Sequence, residues 1–146
     1  MTWQPHITVA TVIEDDEGRF LFVEEHKGGR LVLNQPAGHF EKGETLREAA
    51  LRETREETAW EVELTGVVGI YLYTAPHNGV TYQRVCFSAR PLRRRDHPLD
   101  RDITATHWLT RDALAADPAR WRSDLVLRCL DDYLAGPVYP LNVVRD

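Results

Sequence analysis

The chain has 146 residues, 42% of them hydrophobic and 28% charged, with a formal net charge of −5. That length is enough for an apolar core without disulfide or metal staples, and it reads as one domain over residues 1–146. The acidic balance argues against a binder of duplex nucleic acid, and no stretch approaches the ~20 apolar residues that span a bilayer. The opening Met-Thr-Trp-Gln-Pro has neither the basic start nor the apolar run of a signal peptide, so the expected location is the cytoplasm. Cys86 and Cys129 are far apart with no C-x-x-C spacing, and read as reduced, buried thiols.

Residues 6–14, rich in Ile, Val and Thr, predict a strand. Asp15-Asp16-Glu17-Gly18 predicts a turn, and residues 19–25 the second strand of a hairpin. Residues 26–30, with Gly28-Gly29, read as a flexible loop, followed by a short strand at 31–33 that Pro36 ends. Thr45 with Glu48 is a capping-box pattern and predicts a helix from 45 to 58. Its apolar arc of Leu46, Ala50, Leu51 and Thr54 should pack on a sheet.

Residues 61–74 predict one long bent strand, with Gly66 and Gly69 as bulges. His77-Asn78-Gly79 is a hairpin turn, and residues 81–92 form the partner strand. Arg93-Arg94-Arg95 reads as a solvated charge run. A short strand at 106–110 precedes a short helix at 111–116, stopped by Asp117-Pro118. Ser123 is the expected N-cap of a final helix to 134, packed through Leu125, Leu127, Leu130 and Tyr133. Gly136-Pro137 ends it, and the tail should be loosely ordered. Strands, a helix, more strands and a helix suit an α/β fold with helices on the faces of a mixed sheet.

The predicted first helix carries the chemistry. Glu53, Glu56 and Glu57 stand at i, i+3 and i+4, within a quarter to a third of the circumference at about 100° per residue. Like charges held that close need a compensating cation, and clustered carboxylate oxygens suit Mg²⁺ or Mn²⁺ rather than zinc. A surface salt bridge such as Glu48 with Arg52 accounts for one pair, but not for Gly38 and Glu44 at set distances from three adjacent acids.

Gly38, Glu44, Arg52, Glu53, Glu56 and Glu57 fall at the spacing of the Nudix box, G-x5-E-x7-R-E-U-x-E-E-x-G-U, and the chain resembles that family. Thr54 stands where an aliphatic residue is usual, Ala59 where the last glycine is, and Trp60 in the final apolar place. The resemblance implies an α/β/α sandwich around a mixed sheet, with the box as a loop-helix-loop beside the substrate cleft. It also implies hydrolysis of nucleoside diphosphates linked to another group. In this resemblance Glu53, Glu56 and Glu57 are the metal ligands, with the Gly38 carbonyl as an extra one. Glu53 is the first choice of general base, with Asp100 or Asp102 as the alternative. Arg52 pins a carboxylate, and Glu44 holds the loop or binds metal indirectly.

Pro5-His6-Ile7-Thr8-Val9-Ala10, Asn34-Gln35-Pro36-Ala37-Gly38-His39 and Arg122-Ser123-Asp124-Leu125-Val126 narrow the likeness to the bacterial NudJ (YmfB) type of Nudix phosphatase. That implies action on nucleoside tri- and diphosphates and on hydroxymethylpyrimidine pyrophosphate of the thiamine pathway, often with release of orthophosphate. Outside the box, Asn34, Gln35, His39, Tyr73, Arg84 and Trp108 are the candidate substrate contacts. Each has a plainer reading as turn chemistry, solvated loop, core aromatic or strand arginine. Two further readings compete: a nucleotide-sugar pyrophosphatase acting on ADP-ribose, and a non-catalytic sensing module, which the intact acid set disfavours. The partner is a small nucleotide or organic pyrophosphate, and the chain is a monomer or homodimer.

Overall fold

The computed structural model describes residues 2–146; Met1, where the predicted domain span starts, lies outside the described residues. β1 (His6–Ile13) buries Val9, Ala10, Val12 and Ile13, so both of its faces are covered. It pairs in antiparallel with β4 (Ala37–His39) and in parallel with β6 (Thr81–Arg94). β6 in turn forms an antiparallel hairpin with β5 (Trp60–Thr74), giving a mixed sheet of order β4-β1-β6-β5. A smaller antiparallel sheet has the order β3-β2-β7, from Arg30–Asn34, Phe20–Lys27 and Ile103–Leu109.

Side-chain alternation along β1 and β6 separates two layers of core. Val9, Val85 and Phe87 pack with Ala49 and Ala50 of α1 (Leu46–Thr58). Ala10, Val12 and Cys86 face the other way, toward Phe20, Phe22, Leu114 of α2 (Arg111–Ala115) and α3 (Leu125–Ala135). Between them the helices and the mixed sheet make the α/β/α arrangement expected. Cys86 and Cys129 are free and buried in the second layer.

Several elements depart from their predicted form. β1 and β2 do not form a hairpin. After the turn closed by Asp15 N–H to the Arg19 carbonyl, a single bridge joins Glu14 to Phe20 before the strands enter different sheets. The predicted loop at 26–30 is instead a tight two-residue turn between β2 and β3, with Gly28 and Gly29 at φ 58° and 77°. Positive φ at both central positions matches strand twist, which is why two glycines make a hairpin here. Leu51 is exposed, while Ala49 and Thr58 join Ala50 and Thr54 on the buried face of α1.

Other expectations hold. β5 shifts register at Leu64/Gly66 and Val67/Gly69, the two predicted bulges. Thr45 caps α1 with a complete capping box. Arg93 and Arg95 of the charge run pair with Glu61 at the surface. The tail, however, is docked. Tyr139 and Val67 exchange backbone hydrogen bonds, Arg47 donates to the Leu141 carbonyl, and Leu141 and Val144 pack beside α1. β5 is the edge strand of its sheet, so the outward backbone groups of Val67 have no strand partner there, and the returning chain satisfies them.

On the second sheet, Glu24 accepts from Thr104 and faces His107 and Arg120. The Thr104 and His107 hydrogen bonds hold its carboxyl below the usual range despite burial. A depressed folded-state value means stability present above the unfolded pKa and lost as pH falls through the folded one. Glu24→Gln should therefore cost about 1–2 kcal/mol at pH 7 and flatten the acid limb of a stability–pH curve measured by urea melts. An unchanged acid limb would contradict this.

Candidate active site

Leu31–Asn34 brings the chain in along β3, Pro36 turns it, and Ala37–His39 adds as β4 beside β1. α1 then passes beneath β4. Gly38 lies directly against the Glu53 carboxylate, and the Ala37 N–H donates to Glu57 Oε1 at 2.9 Å. The loop after β6 is tied to the far end of α1 through Arg95 N–H to the Ala59 carbonyl and Asp100 N–H to the Glu56 carbonyl. This brings Asp100, about fifty residues away in sequence, to the helix. One carboxylate oxygen each from Glu53, Glu56 and Asp100 lies within 4.8 Å of the others.

Arg52 organises this cluster. Its guanidinium grips Glu44 through two hydrogen bonds, at 3.0 and 2.7 Å, and donates to Glu53 at 2.8 Å, Glu56 at 3.0 Å and the His39 carbonyl at 3.1 Å. Glu44 also accepts from the Glu41 N–H, so it holds the loop leading into the helix. The Arg52 hydrogen bonds keep the Glu44 carboxyl low. Burial pushes two further acids upward: Glu53, against the opposing pull of Arg52, and Glu57, up to about 9. Asp100 is raised by burial and by the charge of Glu56.

These acids fit a hard divalent cation. The donors are all oxygens, those of Glu53, Glu56 and Asp100 converge, and burial disfavours the ionised forms of Glu53, Glu57 and Asp100, which a cation would offset. Gly38 has a specific part in this. A Cβ there would collide with the Glu53 carboxyl group, so only glycine lets β4 approach the helix this closely. Because the clash is with the end of a side chain, Gly38→Ala should move the carboxylate rather than unfold the chain. The expected result is a fall in kcat of about 10²-fold with little change in Tm; a full-rate variant would contradict it.

The departures from the box are absorbed locally. Thr54 points its hydroxyl at Thr11 of β1, 2.9 Å away in the core, where two apolar side chains would otherwise meet. Ala59 keeps the left-handed C-cap at φ 63°, its N–H bonded to the Arg55 carbonyl, at a steric cost that glycine would avoid. Trp60 stands edge-on to Trp108 at 5.8 Å.

Next to Gly38 a cavity of about 220 Å³ opens between the two sheets. Asn34, His39, Tyr73 and Arg84 line it, together with Lys27 and Arg122. His39 sits edge-on to His6, and its imidazole is held low by burial and by His6. Two candidate contacts lie differently. Gln35 is buried, donating to the Val126 carbonyl at 2.7 Å and accepting from Arg84. Trp108 is not among the cavity's lining residues. Its register partner is Leu21, on the same face as Asn34 but further along the strands, where both pack with Ile13 and Val62 instead of reaching the cavity. Lys27 and Arg122 are lining residues that no motif in the sequence marks; the signal available was their charge beside the Gly-Gly turn and at the start of the last helix.

Comparison with known proteins agrees with this geometry. The NUDIX domain matches residues 4–129. Phosphatase NudJ of Escherichia coli K12 is 33% identical, the alignment covering 99% of this chain and 93% of that protein, and the Shigella flexneri Phosphatase NudJ gives the same figures. A NUDIX hydrolase from Nitrosomonas europaea superposes with a TM-score of 0.94 at 41% identity, over 98% of this chain and 97% of that one. The chain belongs to the Nudix family, and it is a Nudix hydrolase similar to the NudJ phosphatases.

Proposed function

We propose that this enzyme hydrolyses phosphoanhydride bonds of nucleoside tri- and diphosphates and of small organic pyrophosphates such as hydroxymethylpyrimidine pyrophosphate, in the cytoplasm and with Mg²⁺. The observation that carries this reading is the convergence of Glu53, Glu56 and Asp100 beside a cavity lined by Arg84, Lys27 and Arg122. An acid cluster for a cation and a basic cavity for an anion, side by side, match a polyphosphate substrate. The likeness to the NudJ phosphatases over nearly the whole chain supports the substrate class.

Glu53, Glu56 and Glu57 would hold Mg²⁺, with Asp100 near enough to share in it. When bound, Mg²⁺ neutralises phosphate charge and acidifies water. The protein's own part is positional. Arg52 fixes the orientation of Glu53 and Glu56, and the Ala37 N–H fixes Glu57. Glu53 is the group that would accept the proton from the attacking water, because its carboxylate lies in the acid cluster with its orientation held by Arg52. Arg84, Tyr73 and Asn34 receive the substrate in the cavity.

The test is a hydrolysis screen with Mg²⁺ over GTP, GDP, ATP, ADP-ribose and hydroxymethylpyrimidine pyrophosphate, scoring orthophosphate and pyrophosphate separately. Orthophosphate from the nucleotides and the pyrimidine substrate, absent with Glu57→Gln, is the expected result. Cleavage of ADP-ribose alone would replace this reading with a nucleotide-sugar pyrophosphatase.

A further inference from the structure

Arg84 is 7% exposed, yet no carboxylate among the described residues pairs with it; its acceptors are Asn34 Oδ1 at 3.3 Å, Gln35 Oε1 at 3.2 Å and the Cys129 sulfur at 3.7 Å. A guanidinium buried without a carboxylate partner is costly, because amide acceptors satisfy its N–H groups but not its charge. The neighbours add to the imbalance. Lys27 lines the same cavity, and its ammonium is disfavoured by burial and by the nearby Arg122. Arg122 is paired with Glu25. Arg84 is also held firmly in place. Gln35 is 1% exposed and anchored to the Val126 carbonyl of α3, so its side-chain oxygen is a fixed strut under the guanidinium.

A rigid, buried cation at a cavity wall, short of negative charge, is an arrangement that an anion completes. We propose that this wall is an anion subsite independent of metal, centred on Arg84, that takes a phosphate group. The inference rests on the proposed hydrolytic function only for the source of that phosphate, either a substrate phosphate or released orthophosphate. Asn34 and Gln35 act through Arg84 as positioning residues. This assigns Gln35 a different part from that of a direct substrate contact.

The test is calorimetric titration of inorganic phosphate into the full chain in EDTA. Saturable binding is expected, weakened about 10- to 100-fold by Arg84→Gln and less by Arg84→Lys, which keeps the charge but not the fork. No saturable binding to the parent protein, or equal binding by both variants, would overturn the proposal. Should Arg84→Gln fail to fold, Arg84→Lys carries the test, with several-fold weaker binding expected and unchanged binding fatal. Steady-state kinetics separate the sources. A raised KM with kcat retained assigns the anion to the substrate, whereas an unchanged KM with lost phosphate inhibition assigns it to the product. Binding in EDTA with no hydrolysis of any substrate would leave the subsite standing and remove the proposed function; hydrolysis without such binding would do the reverse.

Discussion

Replacing Glu53 by glutamine lowers kcat by about 10³-fold while leaving the fold intact. Glutamine keeps the shape that packs against Gly38 and can still meet the Arg52 guanidinium through its side-chain oxygen. What disappears is one negative charge toward the cation and the carboxylate that accepts a proton, a role typically worth about 10²- to 10⁴-fold. Thermal melting should show little loss, because the change relieves repulsion with Glu56 and Asp100. Asp100→Asn is the matched control, since Asp100 meets the same cluster from the loop after β6. A larger loss of kcat for Asp100→Asn than for Glu53→Gln would transfer the base to Asp100. Equal full-rate turnover by both variants would remove the cluster from the chemistry altogether.

Arg52→Gln should be the most destabilising single change in the site, and its cost should depend on Mg²⁺. Arg52 is the shared cation for Glu44, Glu53 and Glu56, with its side chain 19% exposed. Without it three carboxylates face one another, and the entry loop loses the grip on Glu44. In EDTA the expected loss is about 2–3 kcal/mol, or a Tm lower by about 5–10 °C. Adding Mg²⁺ should recover part of the difference, because a bound cation supplies charge to the same acids. Scanning calorimetry of parent and variant, with and without Mg²⁺, checks both points. A deficit that Mg²⁺ leaves untouched would mean that Arg52 works through the loop alone and not through the acid cluster. Activity should fall as well, because Glu53 and Glu56 lose their orienting donor.

The box was readable in the chain because its geometry is local. Glu53, Glu56 and Glu57 share one helix, Arg52 precedes them, and Thr45 with Glu48 marks where that helix starts, so period and capping place these groups without knowledge of the sheet. Gly66, Gly69 and His77-Asn78-Gly79 were equally plain, since bulges and hairpin turns are written in a few adjacent residues. Other features depended on long-range pairing. Whether β2 followed β1 into the same sheet turned on competition from β4, β6 and β7 for backbone hydrogen bonds, which no short window contains. The same holds for the tail, which bonds to the open backbone edge of β5 at Val67.

The substrate side of the site shows the division most clearly. Arg84 in the sequence is one strand arginine among many, and only the packing of β6 between β1 and β5 buries it beside Asn34 and Gln35. Trp108 and Tyr73 look alike as strand aromatics, yet Trp108 packs with Leu21, Ile13 and Val62 while Tyr73 lines the cavity. Asp100 reaches Glu53 and Glu56 because its loop is hydrogen-bonded to the end of α1. The sequence by itself determined the family and the helix-borne acids, because those follow from spacing within one element. The tertiary structure decided which other residues surround them, because burial and proximity across strands are set by how the whole sheet pairs.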